Sequence, residues 1–381
     1  MNTPNKYSEQ TRKRAENRYA ILRTLQSVGG MKRTEIADFC GIRKSSVTSL
    51  IDELLTNKWV RLENDLFPRS PLVMNENSWQ IVCAELDEDR ITVGRVDLSG
   101  TLVAKKDYKS SKMTSQEGIV KELYSHLKKH IAKCPMLLGI SLSVPGIIDS
   151  DSGTCVNSIN LPGFDNLPLK ELLVKKFDCP VVVGNDIQSS LYSSLFLDKR
   201  AKQLDNAIFL DITSGVGTSI LVHGAPLQGS HSSAGEIGHM NAGNEGRLCR
   251  CGQKDCLETY SSLPAICAEI NSKFKLDVQT DKDIVKACKK NPAIQEVLEN
   301  ASEHIAIPLS VMMATLDPEV VILGHQSRDF YELMIPSLTK ALGKKLNGPA
   351  SRNLKIEITR DNSSLVGIAA YLMDQQFASM R

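Results

Sequence analysis

The stretch from residue 235 to residue 258 holds the residues with the clearest potential chemistry. His239 is followed by Cys249, Cys251 and Cys256. One imidazole and three thiolates form the ligand set of a tetrahedral structural zinc site. The alternative is three reduced cysteines that pack as small hydrophobic side chains, but the residues between them are Arg, Gly, Gln, Lys and Asp, which do not suit a core. We therefore predict one zinc ion per chain at these four ligands.

Two carboxylates accompany the predicted ligands without being needed by the metal. Glu236 precedes His239 by three residues, and Glu258 follows Cys256 by two. A loop fixed around a metal would hold both carboxylates in place, where they could accept hydrogen bonds from the hydroxyl groups of a ligand. The stretch is therefore predicted to form one wall of a binding site.

The pattern Glu-x-Gly-His at 236–239, followed by Cys-x-Cys-Gly-x-x-x-Cys-x-Glu at 249–258, resembles the signature of the ROK family of sugar kinases and sugar-responsive repressors. The resemblance extends over nearly the whole chain. It implies an α/β body of the two-lobed, actin-like (hexokinase) type. It also implies sugar contacts by Asn160, Asn185, Asp186, Glu236, His239 and Glu258.

Length and composition describe an ordinary multi-domain protein. A chain of 381 residues exceeds what one hydrophobic core usually organises, so two or three units are expected. No apolar run approaches the roughly 18 residues of a membrane span, and the amino terminus is polar and basic. Ten cysteines with no secretory signal suit a reducing compartment. We expect a cytoplasmic protein without a membrane partner.

Charge is distributed unevenly along the chain. Residues 1–61 contain twelve Lys or Arg and six Asp or Glu, a net charge of +6. The remaining residues contain 34 basic and 38 acidic side chains, a net charge of −4. A basic head on a mildly acidic body suggests a nucleic-acid partner for the head alone.

The head has the pattern of a winged helix-turn-helix. A first helix ends near residues 29–30, a short second helix covers 34–40, and Gly41 is placed to end it in a left-handed turn. A third helix shows apolar residues at the spacing of one buried stripe: Val47, Leu50, Ile51, Leu54 and Leu55. Two short strands at 59–62 and 71–74 complete a wing. The alternative is a three-helix module for dimerisation or protein docking.

The exposed side of the third helix begins with small polar and basic residues, which suit contacts with base edges and phosphates. The predicted DNA-contact residues are Arg43, Lys44, Ser45, Ser46, Thr48 and Ser49, with Arg69 on the wing. Arg43 stands where this family usually places a serine cap, so the first turn is expected to lack that cap and Arg43 to contact a phosphate.

From residue 80 the chain reads as an antiparallel meander of three strands. In ROK kinases the first turn resembles Asp-x-Gly-Gly-Thr and wraps ATP phosphates with backbone amides. Here Glu85 takes the Asp position, and the Gly-Gly-Thr positions hold Asp87, Glu88 and Asp89. Like charges about 4 Å apart repel by roughly 1 to 4 kcal/mol. The sequence therefore predicts a degenerate phosphate loop and no kinase activity.

Two apolar strands, at 137–144 and 180–183, deliver loops to the carboxyl edge of a parallel sheet, where such sheets bind ligands. The loop at 160–163 resembles the family's Asn-Leu-Pro-Gly loop, whose asparagine meets the sugar. Asp186 and Asn185 match the family's general base and its neighbour. A plain helix N-cap, a role that Asp fills well by itself, is the alternative for Asp186. Keeping Asn-Asp while losing the phosphate loop indicates sugar recognition without phosphoryl transfer.

Residues 207–222 repeat the strand-turn-strand pattern and retain Gly215 and Gly217 in the second turn. Such an internal repeat is how the actin-like fold is built, although half a nucleotide site is not a site. The predicted domains are a winged helix at 1–78 and a sugar-sensing body at 79–381. Lobe one covers about 79–198 plus a returning C-terminal helix at about 363–381, and lobe two covers about 199–362.

The sequence thus predicts a sugar-responsive DNA-binding regulator, most simply a repressor released by a sugar or sugar phosphate. A homodimer, or a dimer of dimers, would match a palindromic operator. Arg247 is a candidate contact for a phosphate group. Two alternatives stay open at this stage, a sugar kinase with an added head and a repressor controlled by a protein partner.

Overall fold

A computed structural model describes residues 9–110, 115–161, 163–197, 204–324, 327–348, 353–359 and 363–379. Pro162, in the loop predicted to meet the sugar, lies outside the described residues. The chain forms two compact units, which we call unit 1 (Met1–Lys199 with Ser364–Arg381) and unit 2 (Arg200–Ser363). The boundaries predicted from the sequence, at residues 78 and 198, stay predictions. Within the described ranges, every helix is too short or too polar to span a bilayer.

Unit 1 begins with the winged helix, which we call the head. Its helices are α1 (Glu9–Val28), α2 (Arg33–Cys40) and α3 (Lys44–Thr56), and its wing pairs β1 (Val60–Leu62) with β2 (Leu72–Met74) antiparallel. Gly41 has φ +65° and ends α2, since its N–H donates to the carbonyl of Ala37. The predicted stripe of α3 is buried from Val47 to Leu54, and Leu55 is half-buried. The winged helix-turn-helix prediction is confirmed.

The head continues into the first sheet without a break in packing. Ser78 is buried and its hydroxyl donates to the carbonyls of Lys58 and Asn75. The ring of Trp79 stacks on Trp59 with centroids 5.6 Å apart. These contacts fix the segment at 75–78 to the base of the wing.

The first sheet has the order β5-β4-β3-β6-β9. Its antiparallel part is β3 (Trp79–Asp87), β4 (Arg90–Asp97) and β5 (Leu102–Lys109), and β6 (Met136–Val144) and β9 (Val181–Asn185) add in parallel. A small hairpin pairs β7 (Ile147–Asp149) with β8 (Thr154–Asn157). The helices are α4 (Gln116–Ile131), α5 (Leu169–Phe177) and α6 (Asp186–Leu197).

The last described helix, α12 (Ser364–Ser379), belongs to unit 1 and packs against α6 and the first sheet. The sequence predicted a returning helix at about 363–381, and the described helix lies within that range. Near its end, Phe377 is buried in the same hydrophobic core as Trp59 of the head.

Unit 2 repeats the sheet plan with the order β12-β11-β10-β13-β14. Its strands are β10 (Ala207–Ile212), β11 (Val216–Val222), β12 (Ala225–Pro226), β13 (Val320–Gly324) and β14 (Ile356–Ile358). Its helices are α7 (Glu258–Ser261), α8 (Leu263–Phe274), α9 (Asp281–Lys290), α10 (Gln295–Leu316) and α11 (Arg328–Lys345). The repeated strand order is the two-lobed arrangement that the sequence predicted.

Candidate functional site

In unit 2, residues 235–258 fold into a compact loop that we call the knuckle. It gathers the predicted metal ligands, since one ligand atom from each of His239, Cys249, Cys251 and Cys256 lies within 4.8 Å of the other three. The Cys251 and Cys256 sulfurs are 3.6 Å apart, and Nδ1 of His239 faces the Cys249 sulfur at 3.7 Å. Three sulfur donors and one imidazole nitrogen at this spacing can hold one metal ion.

Two glycines bring the knuckle against strand β11. A Cβ on Gly235, which has φ +96°, would lie 2.4 Å from the carbonyl oxygen of Thr218. A Cβ on Gly238 would lie 2.2 Å from the carbonyl oxygen of Val216. Only glycine permits so close an approach of two backbones, which explains why both positions of the Gly-Glu-Ile-Gly-His segment lack a side chain.

Glu258 stands beside the metal-ligand cluster. Its Oε1 accepts from the Cys249 thiol at 3.0 Å and lies 3.9 Å from Nδ1 of His239. Burial, and then this hydrogen bond, raise the pKa of the Cys249 thiol. The raised pKa favours the protonated thiol. A cation bound at the cluster would instead favour the thiolate, because metal coordination requires it.

A stack of three side chains braces the knuckle, and the sequence reasoning missed it. The guanidinium of Arg247 lies 4.2 Å from the centre of the Tyr260 ring. The Tyr260 ring stacks on His304 of α10, with centroids 4.1 Å apart. The Tyr260 hydroxyl donates to Asp255, which lies inside the Cys-rich loop. An aromatic residue two positions after Glu258 was the available sequence signal.

Arg247 was a candidate phosphate contact in the sequence, but its guanidinium has protein partners here. It donates to the Thr259 carbonyl at 3.0 Å and to Glu245 at 2.9 Å. These contacts, with the ring of Tyr260, give Arg247 a bracing position in the knuckle.

In unit 1, Asn185 and Asp186 lie where β9 passes directly into α6. The side-chain oxygen of Asn185 accepts from the N–H groups of Ile187 and Gln188 at 2.8 and 3.1 Å. Its amide donates to the carbonyl of Gly146 at 2.8 Å, which ties α6 to the loop after β6. An N-cap role was the alternative for Asp186 in the sequence, and in the structure Asn185 makes these cap contacts. Asp186 and Asn160 are both half-buried.

The β3–β4 turn, which the sequence predicts to be a degenerate phosphate loop, is a tight hairpin. Only Glu88 and Asp89 separate β3 from β4. Asp87 forms an ion pair with Arg90 at 3.0 Å and accepts from the N–H of Glu88. Glu85, still within β3, accepts a hydrogen bond from the hydroxyl of Ser364 at the start of α12.

The predicted DNA-contact residues lie on the solvent side of the head. Arg43, Lys44, Ser45, Thr48, Ser49 and Arg69 are exposed and Ser46 is half-buried. Arg43 occupies the N-cap position of α3 and makes no side-chain cap hydrogen bond, as its residue type predicted. Two arginines that the sequence reasoning missed position this helix: Arg14 of α1 contacts Ser49 and Glu53, and Arg33 of α2 pairs with Asp52.

Two known protein families match different parts of the chain. Residues 81–376 match the ROK family and residues 15–65 match the MarR family. A xylose repressor from Caldicellulosiruptor bescii is 26% identical over 388 residues, which cover 95% of this chain and 96% of the relative. The DNA-binding transcriptional dual regulator NagC of Escherichia coli is 22% identical over 93% of this chain and 91% of its own.

Solved structures share the fold. A ROK family transcriptional regulator, a homolog of the E. coli MLC protein, superimposes with a TM-score of 0.84 at 20% identity, covering 96% of this chain and 97% of that one. A ROK family glucokinase from Streptomyces griseus, in complex with glucose and AMPPNP, superimposes with a TM-score of 0.66 at 21% identity. It covers 77% of this chain and 98% of the glucokinase. The match of residues 81–376, more than half of the sequence, shows that this chain belongs to the ROK family.

Proposed function

We propose that this protein is a sugar-responsive transcriptional repressor, in which the head binds operator DNA and the body binds a carbohydrate. The observation that carries the proposal is the extent of the similarity. Relatives named as a xylose repressor and as a DNA-binding transcriptional dual regulator align over 95% and 93% of this chain, head included. The Streptomyces griseus glucokinase covers 77% of this chain at almost its own full length. The part of this chain that the glucokinase does not cover is thus about as long as the winged helix.

The solvent side of α3 supports the DNA-binding role. Lys44, Ser45 and Thr48 are exposed at its start, and Arg43 precedes them. A recognition helix contacts base edges with its first residues while neighbouring basic groups contact phosphates. We assign base or phosphate contacts to Arg43, Lys44, Ser45, Ser46, Thr48 and Ser49, and a wing contact to Arg69.

The metal at the knuckle is proposed to be zinc. Three cysteines and one histidine suit zinc better than they suit calcium or magnesium, which prefer oxygen ligands. All four positions are protein side chains, so the site is structural. The metal would fix the loop that carries Glu236 and Glu258.

Six residues are proposed as sugar contacts. Carboxylate and amide oxygens accept hydrogen bonds from hydroxyl groups, and an imidazole N–H donates one. Nδ1 of His239 faces the Cys249 sulfur, which leaves Nε2 for a sugar oxygen. The six are Asn160, Asn185 and Asp186 in unit 1, and Glu236, His239 and Glu258 in unit 2.

The body is proposed not to transfer a phosphoryl group. The β3–β4 turn offers carboxylates where a nucleotide phosphate would need backbone amides, and its Asp87 is engaged by Arg90. The loop of this hairpin is only two residues long. A dimer whose two heads meet successive major grooves stays the expected assembly.

Two measurements on the full chain test the proposal. The first selects binding duplexes from a random pool and measures their affinity by fluorescence anisotropy. The second records melting temperatures with D-xylose, D-glucose, N-acetyl-D-glucosamine and its 6-phosphate, each with and without magnesium-ATP. We expect one sugar to raise the melting temperature of the protein and to lower its affinity for the selected duplex at least tenfold.

Asp186→Asn should reduce that sugar's stabilising effect, whereas the control Asp151→Asn, at an exposed aspartate of the same unit, should not. ATP-dependent phosphorylation of any sugar in the panel would instead identify a kinase. Duplex binding without any response to sugars would favour control by a protein partner.

A further inference from the structure

Helices α6 and α12 of unit 1 touch through their backbones. A Cβ on Gly367 of α12 would lie 1.7 Å from the carbonyl oxygen of Ser189 and 2.7 Å from the backbone nitrogen of Ser193. Ser189 and Ser193 are themselves buried. Small side chains on both helices therefore leave no compressible layer between them, so a shift of α6 must move α12 as well.

The amino-terminal end of α6 carries two of the residues proposed to meet the sugar. Asn185 caps the first turn of α6 through Ile187 and Gln188, and Asp186 is the first residue of the helix. A ligand that draws hydrogen bonds from Asn185 competes directly with the cap. The first turn of α6 is thus the part of the pair that a bound sugar would move.

The other end of α12 contacts the head. The hydroxyl of Tyr19 on α1 donates to Oδ1 of Asp374 at 2.8 Å, and the Arg23 guanidinium lies 3.4 Å from the same oxygen. One turn further, Phe377 packs edge-on against Trp59 at the base of the wing, with centroids 5.6 Å apart. Asp374 is seven residues, roughly 10 Å along the helix axis, from the Gly367 crossing.

We propose that α12 is the element through which the head senses a ligand at the start of α6, with Gly367 and Asp374 as the positioning residues. This inference rests on the proposed sugar site. A sugar that prefers one position of α6 shifts α12 with it, and α12 holds α1 and the wing through Asp374 and Phe377. The sugar changes operator affinity only to the extent that it prefers one of the two arrangements.

The variant Asp374→Asn tests the head end of this path in the full chain. Its matched control is Gln375→Asn, one residue along the same helix at an exposed position. With a selected duplex, and with D-xylose and N-acetyl-D-glucosamine as the probe sugars, we expect Asp374→Asn to cut the sugar's effect on duplex affinity at least threefold. The affinity for the sugar itself, measured by calorimetry, should stay within about twofold. If Asp374 has a purely structural role, Asp374→Asn should lower stability and leave the sugar's effect on duplex affinity unchanged, which would overturn the proposal.

A second measurement needs no sugar, so it separates this proposal from the proposed function. Hydrogen exchange of the ligand-free chain is compared among wild type, Asp374→Asn, Gln375→Asn and Gly367→Ala. We expect Gly367→Ala and Asp374→Asn each to speed exchange both in the first turns of α6 and in α1, and Gln375→Asn to change neither. If Gly367→Ala does not fold, Asp374→Asn decides alone. Faster exchange confined to α12 and α1, with α6 as in wild type, would overturn the proposal.

Discussion

The two units of this protein use one sheet plan for different purposes. In both, three antiparallel strands are followed by two parallel ones. In the sheet of unit 1, the first turn (β3–β4) is a two-residue hairpin loop closed by the Asp87–Arg90 ion pair. The equivalent turn of unit 2 contains Gly215, where a Cβ would lie 3.0 Å from Oε2 of Glu258 in the knuckle. A shared scaffold therefore leaves the chemistry of each unit to its turns and loops.

The largest expected difference between the units concerns the metal. We expect Cys256→Ser to abolish zinc binding and to lower the melting temperature of unit 2, because structural zinc sites contribute on the order of 10 kcal/mol in small domains. Hydrogen exchange in unit 1 should not change. Cys267→Ser, at a buried cysteine of α8 outside the cluster, is the control and should retain one zinc ion by elemental analysis. Wild-type protein purified without zinc would contradict the assignment.

A second prediction concerns the acidic turn of unit 1. We expect wild-type protein to bind magnesium-ATP more weakly than about 1 mM by calorimetry. Replacing Asp87, Glu88 and Asp89 with Gly-Gly-Thr should tighten binding at least tenfold, because each like-charge approach that is removed is worth roughly 1 to 4 kcal/mol.

The control for the acidic turn removes three exposed carboxylates elsewhere in unit 1, as Glu117→Gln, Asp151→Asn and Asp178→Asn. It changes the net charge equally and should leave ATP affinity as in wild type. Tight ATP binding by the wild type would refute a nucleotide-excluding turn.

A third prediction separates two glycines of unit 2. Gly238→Ala should lower the free energy of unfolding by about 1 to 3 kcal/mol, because its Cβ meets the Val216 carbonyl at 2.2 Å. Gly343→Ala, in α11 with open space around its Cβ, should raise it by up to about 1 kcal/mol. Denaturant titration measures both. Equal effects from the two substitutions would mean that the knuckle does not lie this close to β11.

The smallest expected effect concerns how the stability of unit 1 depends on pH in the acidic range. The hydrogen bond from Arg61 lowers the pKa of Glu76 below its usual 4.5. A lowered folded-state pKa stabilises the fold above pH 4.5, and this contribution disappears as the pH falls through the folded-state value. Glu76→Gln should thus cost about 0.2 to 1 kcal/mol at pH 7, as half-exposed pairs do, and progressively less below pH 4.5. Chemical denaturation across that range tests it, and a difference that grows in acid would contradict the pairing.

Local patterns predicted the elements of this fold well. The apolar spacing of α3, the stop at Gly41 and the run that forms β6 depend on neighbours within a few residues, so a single sequence suffices for them. The metal ligands were equally visible, because donor type and spacing carry the signal. Their identification as a metal site nevertheless stays a prediction.

Contacts between distant residues were beyond the sequence. Tyr19 and Asp374 are 355 positions apart, and nothing in either neighbourhood indicates the other. The brace formed by Arg247, Tyr260 and His304 was missed for the same reason. Asn185 and Asp186 present a different difficulty: a carboxamide and a carboxylate are both good N-caps, and only the geometry shows that Asn185 makes these cap contacts.

The position of α12 in the chain affects how the protein is made. The ribosome releases the head and the first sheet early, but Leu365, Leu372 and Phe377, which complete their shared core, emerge only after all of unit 2. Nascent chains that stop before this helix would therefore lack the packing that holds the DNA-reading surface. Premature termination would then yield fragments that do not bind the operator, rather than repressors that bind it and no longer respond to the inducer.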